Sequence, residues 1–455
     1  VLTSSPRRIR AVALTAACVI AVAGCSPTAE TAAPTDEAYG VPIALNTPQG
    51  VRAKQTMDML NSDWPIGTQS VSTLAVPKKV DEVTAILDSI WWDRPFTVTD
   101  VEIGAGTATL GVLTSYNVAQ EISLRVDPTD AALVDEFDVS LRPPTISQWS
   151  DIEPELAKSG ARYSYQVSRV ARDNSRCDVV AGANTDLPLP LASIFKLYVL
   201  LAVAEAVEAG TLSWDEHLTI TREAKALGSA NLDKLPVGAM ITVKTAAQEM
   251  ISASDNMTTD LLINRMGPAA VEKALADAGH HDPASMIPFP TMHALFAVGW
   301  GQPDLREQWR EAVEKGGPQD RARLLRQASS HPYEPDPERT HTPASTYGAE
   351  WYGSAADICR VHAALQRAAV GPAAPVREIL SAIPGIDLDR AKWPYIGAKG
   401  GNLPGDLSFS WYAVDDTGQP WVVSFQLNWP TFRSRTAATW LLSIAEQAFA
   451  LIPDH

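Results

Sequence analysis

The chain has 455 residues, enough for two or three domains of roughly 100 to 200 residues each. Hydrophobic residues make up 45% and charged residues 20%, with 13 Trp along the length, which excludes a disordered chain. A net charge of −16 excludes a nucleic-acid binder and opposes adhesion to an anionic lipid surface through charge alone.

At the N-terminus Arg7, Arg8 and Arg10 precede an apolar run over 11–23, and Val22-Ala23-Gly24-Cys25 fits the lipobox of bacterial lipoproteins. The run is shorter than the roughly 20 apolar residues of a membrane span. Residues 1–24 are therefore expected to be a signal peptide, Cys25 the lipidated first residue, and 25–40 a flexible tether of Ser, Pro, Thr and Ala. This predicts export and a lipid anchor on the outer face of the bacterial cytoplasmic membrane. Of the four Cys, Cys18 leaves with the signal and Cys25 carries lipid; a disulfide between Cys177 and Cys359 is permitted in an exported protein but not fixed by spacing. No Cys/His spacing suits zinc, and neither metal nor cofactor is expected.

From 41 to 148 the pattern predicts an α+β domain: helices at Val51 to Leu60 and Lys78 to Trp92, then strands at Phe96 to Val101, Thr107 to Thr114, Val118 to Val126 and Leu133 to Arg142. Helices followed by a run of antiparallel strands resemble the cone-shaped fold of the nuclear transport factor 2 and ketosteroid isomerase group. That resemblance implies a pocket acid, for which Asp100 and Asp138 are the candidates. Pro143-Pro144 ends the last strand, and a second domain is expected over 150–455.

This second part carries the chemistry. "YSYQVSRV" and "CDVVAGANTD" alternate as a hairpin, and "LPLPLAS" leads into a helix starting near Ser193, with Lys196 one turn on and apolar residues around both. Free N–H groups at a helix start favour a developing oxyanion, and burial beside a second cation lowers a lysine until it can accept a proton. Ser-x-x-Lys alone is weak evidence. Further on, Ser254-Asp255-Asn256 breaks an apolar helical stretch that Gly267 ends, and Lys399-Gly400-Gly401 closes "WPYIGAKGG" before two hairpin strands. A polar break between apolar halves is costly unless its groups bond inward.

Ser-x-x-Lys, Ser-Asp-Asn and a strand-borne Lys-x-Gly, in this order, resemble the signature of the penicillin-binding-protein and class A β-lactamase group. The resemblance implies an α/β sandwich, an antiparallel sheet with helices on both faces and an all-helical subdomain. It implies Ser193 as nucleophile, Lys196 as its base, Ser254 as proton relay, and Lys399 as the cation around Ser254. Asn256 would bind a substrate amide or Lys196; Gly400 and Gly401 would line the substrate strand; the N–H groups of Ser193 and Asn402 would form the oxyanion hole. The domain order is similar to that of the two-domain serine hydrolases of clavulanate gene clusters.

Three departures modify the expectation. No Glu-x-x-Leu-Asn occurs before "EWYGSAADICRVHAAL", so the water-activating glutamate of class A enzymes is missing, and His293 is either its substitute or an ordinary packed or surface histidine. Lys-Gly-Gly replaces Lys-Thr-Gly, so Gly400 offers no hydroxyl to a substrate carboxylate. "DLSFSW" holds no cation where those enzymes often keep an arginine. A helical insertion at about 297–350, with two charged helices over Gln302 to Ser330, is expected to form a lid, and Ser354 with Asp357 a capping box that restarts the shared core. The sequence thus predicts a monomeric serine hydrolase acting through an acyl-enzyme on a small-molecule or cell-envelope ester or amide, and a poor β-lactamase. The alternatives are a binding module with little turnover, or a true β-lactamase or DD-peptidase.

Overall fold

The computed structural model describes residues 35–129 and 132–453. The expected signal peptide, Cys25 and the start of the expected tether lie outside the described residues. The last tether residues do not match that expectation: Thr35–Asp36 (β1) pairs with Ile43–Ala44 (β2), and Tyr39 bonds through its carbonyl to Val98 N (2.7 Å) and through its hydroxyl to Asp58 (2.8 Å). A half-buried tyrosine and backbone pairing hold a segment whose composition alone reads as loose.

In the first domain, helix α1 (Pro48–Leu60) is started by the Thr47 side chain, which accepts from Gly50 N, and by Pro48 in the first turn, where no N–H is needed. Helix α2 (Val80–Ile90) buries Val83, Leu87 and Ile90 at helical spacing. Strands β3 (Thr97–Ile103), β4 (Thr107–Leu113), β5 (Ala119–Val126) and β6 (Val134–Leu141) form an antiparallel sheet in that order, with Leu110 opposite Ile122 in the core. A register shift between Val98 and Asp100 bends β3. Of the two readings open for Asp100 and Asp138, pocket acid or solvated strand residue, the second holds: Asp100 is exposed and held by both terminal nitrogens of Arg142 (2.7 and 3.0 Å), which keeps its carboxyl below the ordinary range, and Asp138 is exposed on β6.

The second domain opens with α3 (Ile152–Lys158), followed by β7 (Arg162–Val170) and β8 (Cys177–Ala183). A helical block follows, built around α4 (Lys196–Glu208) with α5 (Val243–Ser252) and α6 (Asn256–Met266). The insertion supplies α7 (Met292–Trp300), α8 (Arg306–Glu314) and α9 (Pro318–Ala328). After α10 (Ala355–Ala368) the chain returns to the sheet as β9 (Tyr395–Leu403), β10 (Asp406–Val414) and β11 (Pro420–Asn428), and ends in α11 (Arg435–Ala450). The sheet is antiparallel with order β9-β10-β11-β7-β8. Strand side chains alternate between faces: Trp411, Val423 and Phe425 pack toward Trp440, Leu441 and Phe449 of α11, while Val170, Tyr412 and Val422 pack toward Cys359 and Ala363 of α10. Cys177 of β8 and Cys359 of α10 form a disulfide, which the spacing left open. The Ser354 and Asp357 capping box begins α10 as expected.

Helices α8 and α9 do not form a separate lid. Trp309, Leu324 and Leu325 are buried in the same core as α4, because their apolar residues recur on one face and that face meets α7. The domains meet through both apolar and polar groups, with Tyr116 and Val118 buried in one core with Leu427 and Trp429. Asp93, fully buried, accepts from Ser434 N (2.9 Å) and from Ser434 Oγ, and Ser434 caps α11; Gln120 donates to Thr436 (2.8 Å) and His341 stacks on Trp92 (4.3 Å between rings).

Candidate active site

Ser193 sits in a single 3-10 turn, Ala192–Phe195, that runs into α4; the expected helix start is therefore a tighter turn than an α-helix. Along 191–200 every residue is buried except Ser193. Ala192 adopts φ +45°, a left-handed conformation strained for a residue with a Cβ. Its neighbours hold it: Leu191 N donates to Trp351 O (2.8 Å), Ala192 N to Glu350 Oε2 (3.1 Å), and Ser408 Oγ to Leu191 O (2.7 Å). Gly401 of β9 lies opposite Ser408, and a Cβ there would stand 2.5 Å from Ser193 N, so only glycine lets the edge strand approach the backbone of Ser193. Asn402 follows, exposed on the free edge of the sheet, where the second oxyanion donor was expected.

The Ser-Asp-Asn segment joins α5 to α6. Ser254 also takes a left-handed conformation, φ +55°, and Asp255 caps α6 by accepting from Thr258 N (2.8 Å). Lys196 Nζ donates to Ser254 O (2.6 Å), Asn256 Oδ1 (2.8 Å) and, more weakly, Ser254 Oγ (3.4 Å). Lys399 Nζ donates to Ser254 Oγ (2.9 Å) and Gly400 O (2.6 Å). Ser254 Oγ thus stands between two lysines, 0% and 3% exposed. Lys196, Ser254, Asn256 and Lys399 form one hydrogen-bonded chain. Ser193 joins this group through its position one turn before Lys196, and the hydrogen bonds of Lys196 Nζ run to Ser254 and Asn256.

Burial sets the electrostatics. It lowers Lys196 far below the ordinary lysine value; the charge of Lys399 lowers it further, against Asp255 and Asp260. Lys399 is lowered to about 7 by burial. Beneath Lys399, Ser410 Oγ donates to the Lys399 carbonyl (3.0 Å) and lies 2.9 Å from Nε2 of the fully buried His362, which burial lowers to about 3, so that ring is neutral. Asp260, under Lys196, is raised to about 6 by burial and accepts from Met292 N (2.6 Å) and His293 N (3.0 Å).

Among the described residues one His/Asp group has metal-like spacing, His280, His281 and Asp357. Both ring nitrogens of His280 are engaged, with Tyr352 O (3.0 Å) and Asp282 N (3.1 Å), and Asp357 serves the cap of α10; the group reads as a structural knot.

Residues 151–329 match the model of the β-lactamase enzyme family, and residues 44–131 match the model described as ORF 12 gene product N-terminal. The likeness to the β-lactamase enzyme family thus falls within the second domain. The β-lactamase VEB-1 of Pseudomonas aeruginosa is 26% identical over 99 residues, which is 21% of this chain; the match spans only 33% of that relative's length. Among solved structures, the β-lactamase of Sphaerobacter thermophilus is 20% identical, with 68% of this chain and 100% of that chain covered and a TM-score of 0.46. The chromosome-encoded β-lactamase of Vibrio parahaemolyticus is 15% identical, with 66% and 96% covered and a TM-score of 0.45.

Within this β-lactamase-like domain His293 does not stand in for the missing glutamate. It is buried in α7, with Nε2 at 2.8 Å from His331 O. The carboxyl next to the nucleophile turn is Glu350, which sequence reasoning missed. It accepts from Ala192 N and Trp351 N through Oε2, while Oε1 is buried without a partner. Burial, then the nearby Asp406, raise Glu350 well above the carboxylate range, and burial raises Asp406 to about 7. A lone acid in the apolar run Ala349-Glu350-Trp351 was the available signal. Ser408 and Ser410, alternating on β10, were missed for want of any local mark.

Proposed function

We propose that the protein is an envelope-anchored serine hydrolase that forms an acyl-enzyme on Ser193. The observation that carries this reading is the pair of buried lysines converging on Ser254 one turn from Ser193. Desolvating two ammonium groups costs several kcal/mol, which a purely structural site would avoid. Ser193 Oγ attacks the carbonyl carbon of an ester or amide and its proton passes to neutral Lys196. Ser254 Oγ hands a proton to the departing oxygen or nitrogen as the acyl bond breaks, and Lys399 replenishes or stabilises Ser254. Ser193 N–H and Asn402 N–H are the proposed oxyanion donors. The oxygen-ester or amide substrate is small enough to enter a cleft at the sheet edge. The first domain, whose helices over a bent sheet resemble the ketosteroid-isomerase cone, is the base on which this domain docks through Asp93.

β-Lactam turnover is proposed to be poor, since the carboxyl beside Ser193's turn is Glu350, whose Oε2 is committed to the N–H groups of Ala192 and Trp351 and whose acid is held well above the carboxylate range by burial. Lipidation at Cys25 is proposed from the lipobox; Cys25→Ala should release the protein from membranes, and retention after a carbonate wash would place the anchor elsewhere. The central test is a fluorophosphonate probe followed by mass spectrometry. Labelling of Ser193, lost in Ser193→Ala, is expected. Labelling that survives this substitution would refute the assignment, and a native protein that never labels would favour the binding-module reading.

A further inference from the structure

A cavity of about 600 Å³ lies where the two domains meet, and neither Ser193 nor either buried lysine lines it. Trp92 and Arg94, which follow α2, supply the wall from the first domain; His341, Pro343, Phe432 and Arg433 supply the wall from the second. Trp92 stacks on His341 (4.3 Å between rings), and Phe432 meets both edge-on, at 5.4 Å from Trp92 and 5.0 Å from His341. Three rings fixed against one another make a flat apolar surface. The cations are placed differently. Arg94 lies over the Trp91 ring (3.5 Å) and donates to Trp91 O (3.1 Å); Arg433 lies over Tyr116 (4.8 Å) and donates to Ser115 Oγ (3.2 Å). Among the described residues neither guanidinium has a carboxylate oxygen within ion-pair distance, although Asp and Glu outnumber Lys and Arg by 53 to 37 in this chain. Burial lowers both arginines, and Arg433 Nε is buried without a hydrogen-bond partner, a state that a buried donor rarely keeps. The one acid in the lining is Asp63, which is exposed.

We propose that this interdomain cavity is a binding site for a small aromatic carboxylate, with its ring on the surface of Trp92, His341 and Phe432 and its charge neutralised by Arg94 and Arg433. A guanidinium recognises a carboxylate by charge and by paired N–H donors, and cavities between domains are common ligand sites. The assignment does not rest on the acyl-enzyme reading, since the two sites share no residue. Because its walls belong to both domains, the occupant ties one to the other.

The test is calorimetric titration of the whole protein with 2-naphthoate, against 2-naphthamide as the uncharged counterpart and cyclohexanecarboxylate as the non-aromatic one. The naphthoate should bind with a Kd of about 1 mM or tighter, and each counterpart at least about tenfold more weakly. Arg433→Gln should weaken naphthoate binding about tenfold, as should Thr431→Glu, which adds an anion at an exposed position of the lining. Asp63→Asn should tighten binding about twofold or more, because it removes the one acid that opposes the ligand. Lys399→Met should leave the Kd unchanged. Should Arg433→Gln lose its urea unfolding transition, Thr431→Glu and Asp63→Asn still decide, since both positions are exposed. Equal affinity for the acid and the amide, or no binding at about 10 mM naphthoate, overturns the site. Binding that Lys399→Met abolishes and Thr431→Glu leaves intact places the carboxylate beside Ser254 and overturns it equally.

Discussion

Replacing Lys399 with Met should inactivate the protein and stabilise it, with a pH dependence that identifies the cause. Lys399 is 3% exposed, and burial lowers its ammonium from 10.5 to about 7. At 1.36 kcal/mol per unit the shift amounts to about 5 kcal/mol against the folded state. The substitution also deletes two hydrogen bonds, to Ser254 Oγ and Gly400 O, for a loss of about 2 kcal/mol. Below pH 7 both folded and unfolded lysines are protonated and the full penalty applies, so the variant should be more stable by about 3 kcal/mol. Between about pH 7 and 10.5 the unfolded chain binds a proton that the folded chain lacks, so the native protein gains stability as pH rises. The two curves should cross near about pH 9, beyond which the variant is the weaker by the lost hydrogen bonds. Lys196, lowered first by its own burial and then by the charge of Lys399, gains when that charge goes and adds to the variant's advantage at low pH. Urea unfolding of both proteins at pH 6 to 10, with Ser193 labelling alongside, measures this. A variant that is less stable at pH 6, or a stability difference flat across the series, refutes the argument that Lys399 is held against a desolvation penalty.

Lys196→Ala should slow Ser193 labelling by about 10² or more, and the native labelling rate should fall as pH drops through the lowered value of Lys196, because only the neutral amine accepts the proton; a rate flat with pH would remove Lys196 from the role of base. Nitrocefin should turn over several orders of magnitude more slowly than by an efficient β-lactamase, and more slowly than a short nitrophenyl ester on the same preparation, since a missing general base costs about 10² to 10⁴; faster Ser193-dependent nitrocefin turnover would call for another base. Asp93→Ala should cost about 2 to 4 kcal/mol, because Ser434 N and Oγ lose a buried charged acceptor. Urea unfolding read by Trp fluorescence reports this, and an unchanged midpoint would mean that the domains are held by other contacts.

Elements built from local pattern were legible. Val83, Leu87 and Ile90 recur at helical spacing and Leu110, Val112, Ile122 and Leu124 alternate, so α2, β4 and β5 fall close to their expected bounds. Lys196 among apolar neighbours pointed to a buried amine, and it is one. The conformation of Ala192 was not legible, because its strain is maintained by Glu350, Trp351 and Ser408, each more than 150 residues away in the chain. The same holds for His362 beneath Lys399: a histidine in a helix carries no local sign of the serine on a strand that it will meet. The insertion read as a lid because its exposed faces are densely charged, yet Trp309, Leu324 and Leu325 were enough to draw it into the core. The end of the tether failed similarly, since Tyr39 and the backbone of Thr35 and Asp36 make contacts that the small polar residues around them do not suggest.

The bond between Cys177 and Cys359 joins positions 182 residues apart and turns the intervening chain into a covalent ring. Ser193, Lys196, Ser254 and Asn256 all lie on this ring, as do α7, α8 and α9, while Lys399 is carried by the segment outside it. A cut in any loop of the ring would leave both pieces attached, so a nicked molecule keeps Ser193 tied to the sheet. Ring closure also changes what added sequence does to the unfolded state. The entropy of a closed loop grows with the logarithm of its length, about 0.6 kcal/mol for each doubling. An insertion of the size found between α6 and α10 therefore enters at almost no entropic penalty, and this part of the chain can lengthen or shorten while the strand that carries Lys399 stays in register.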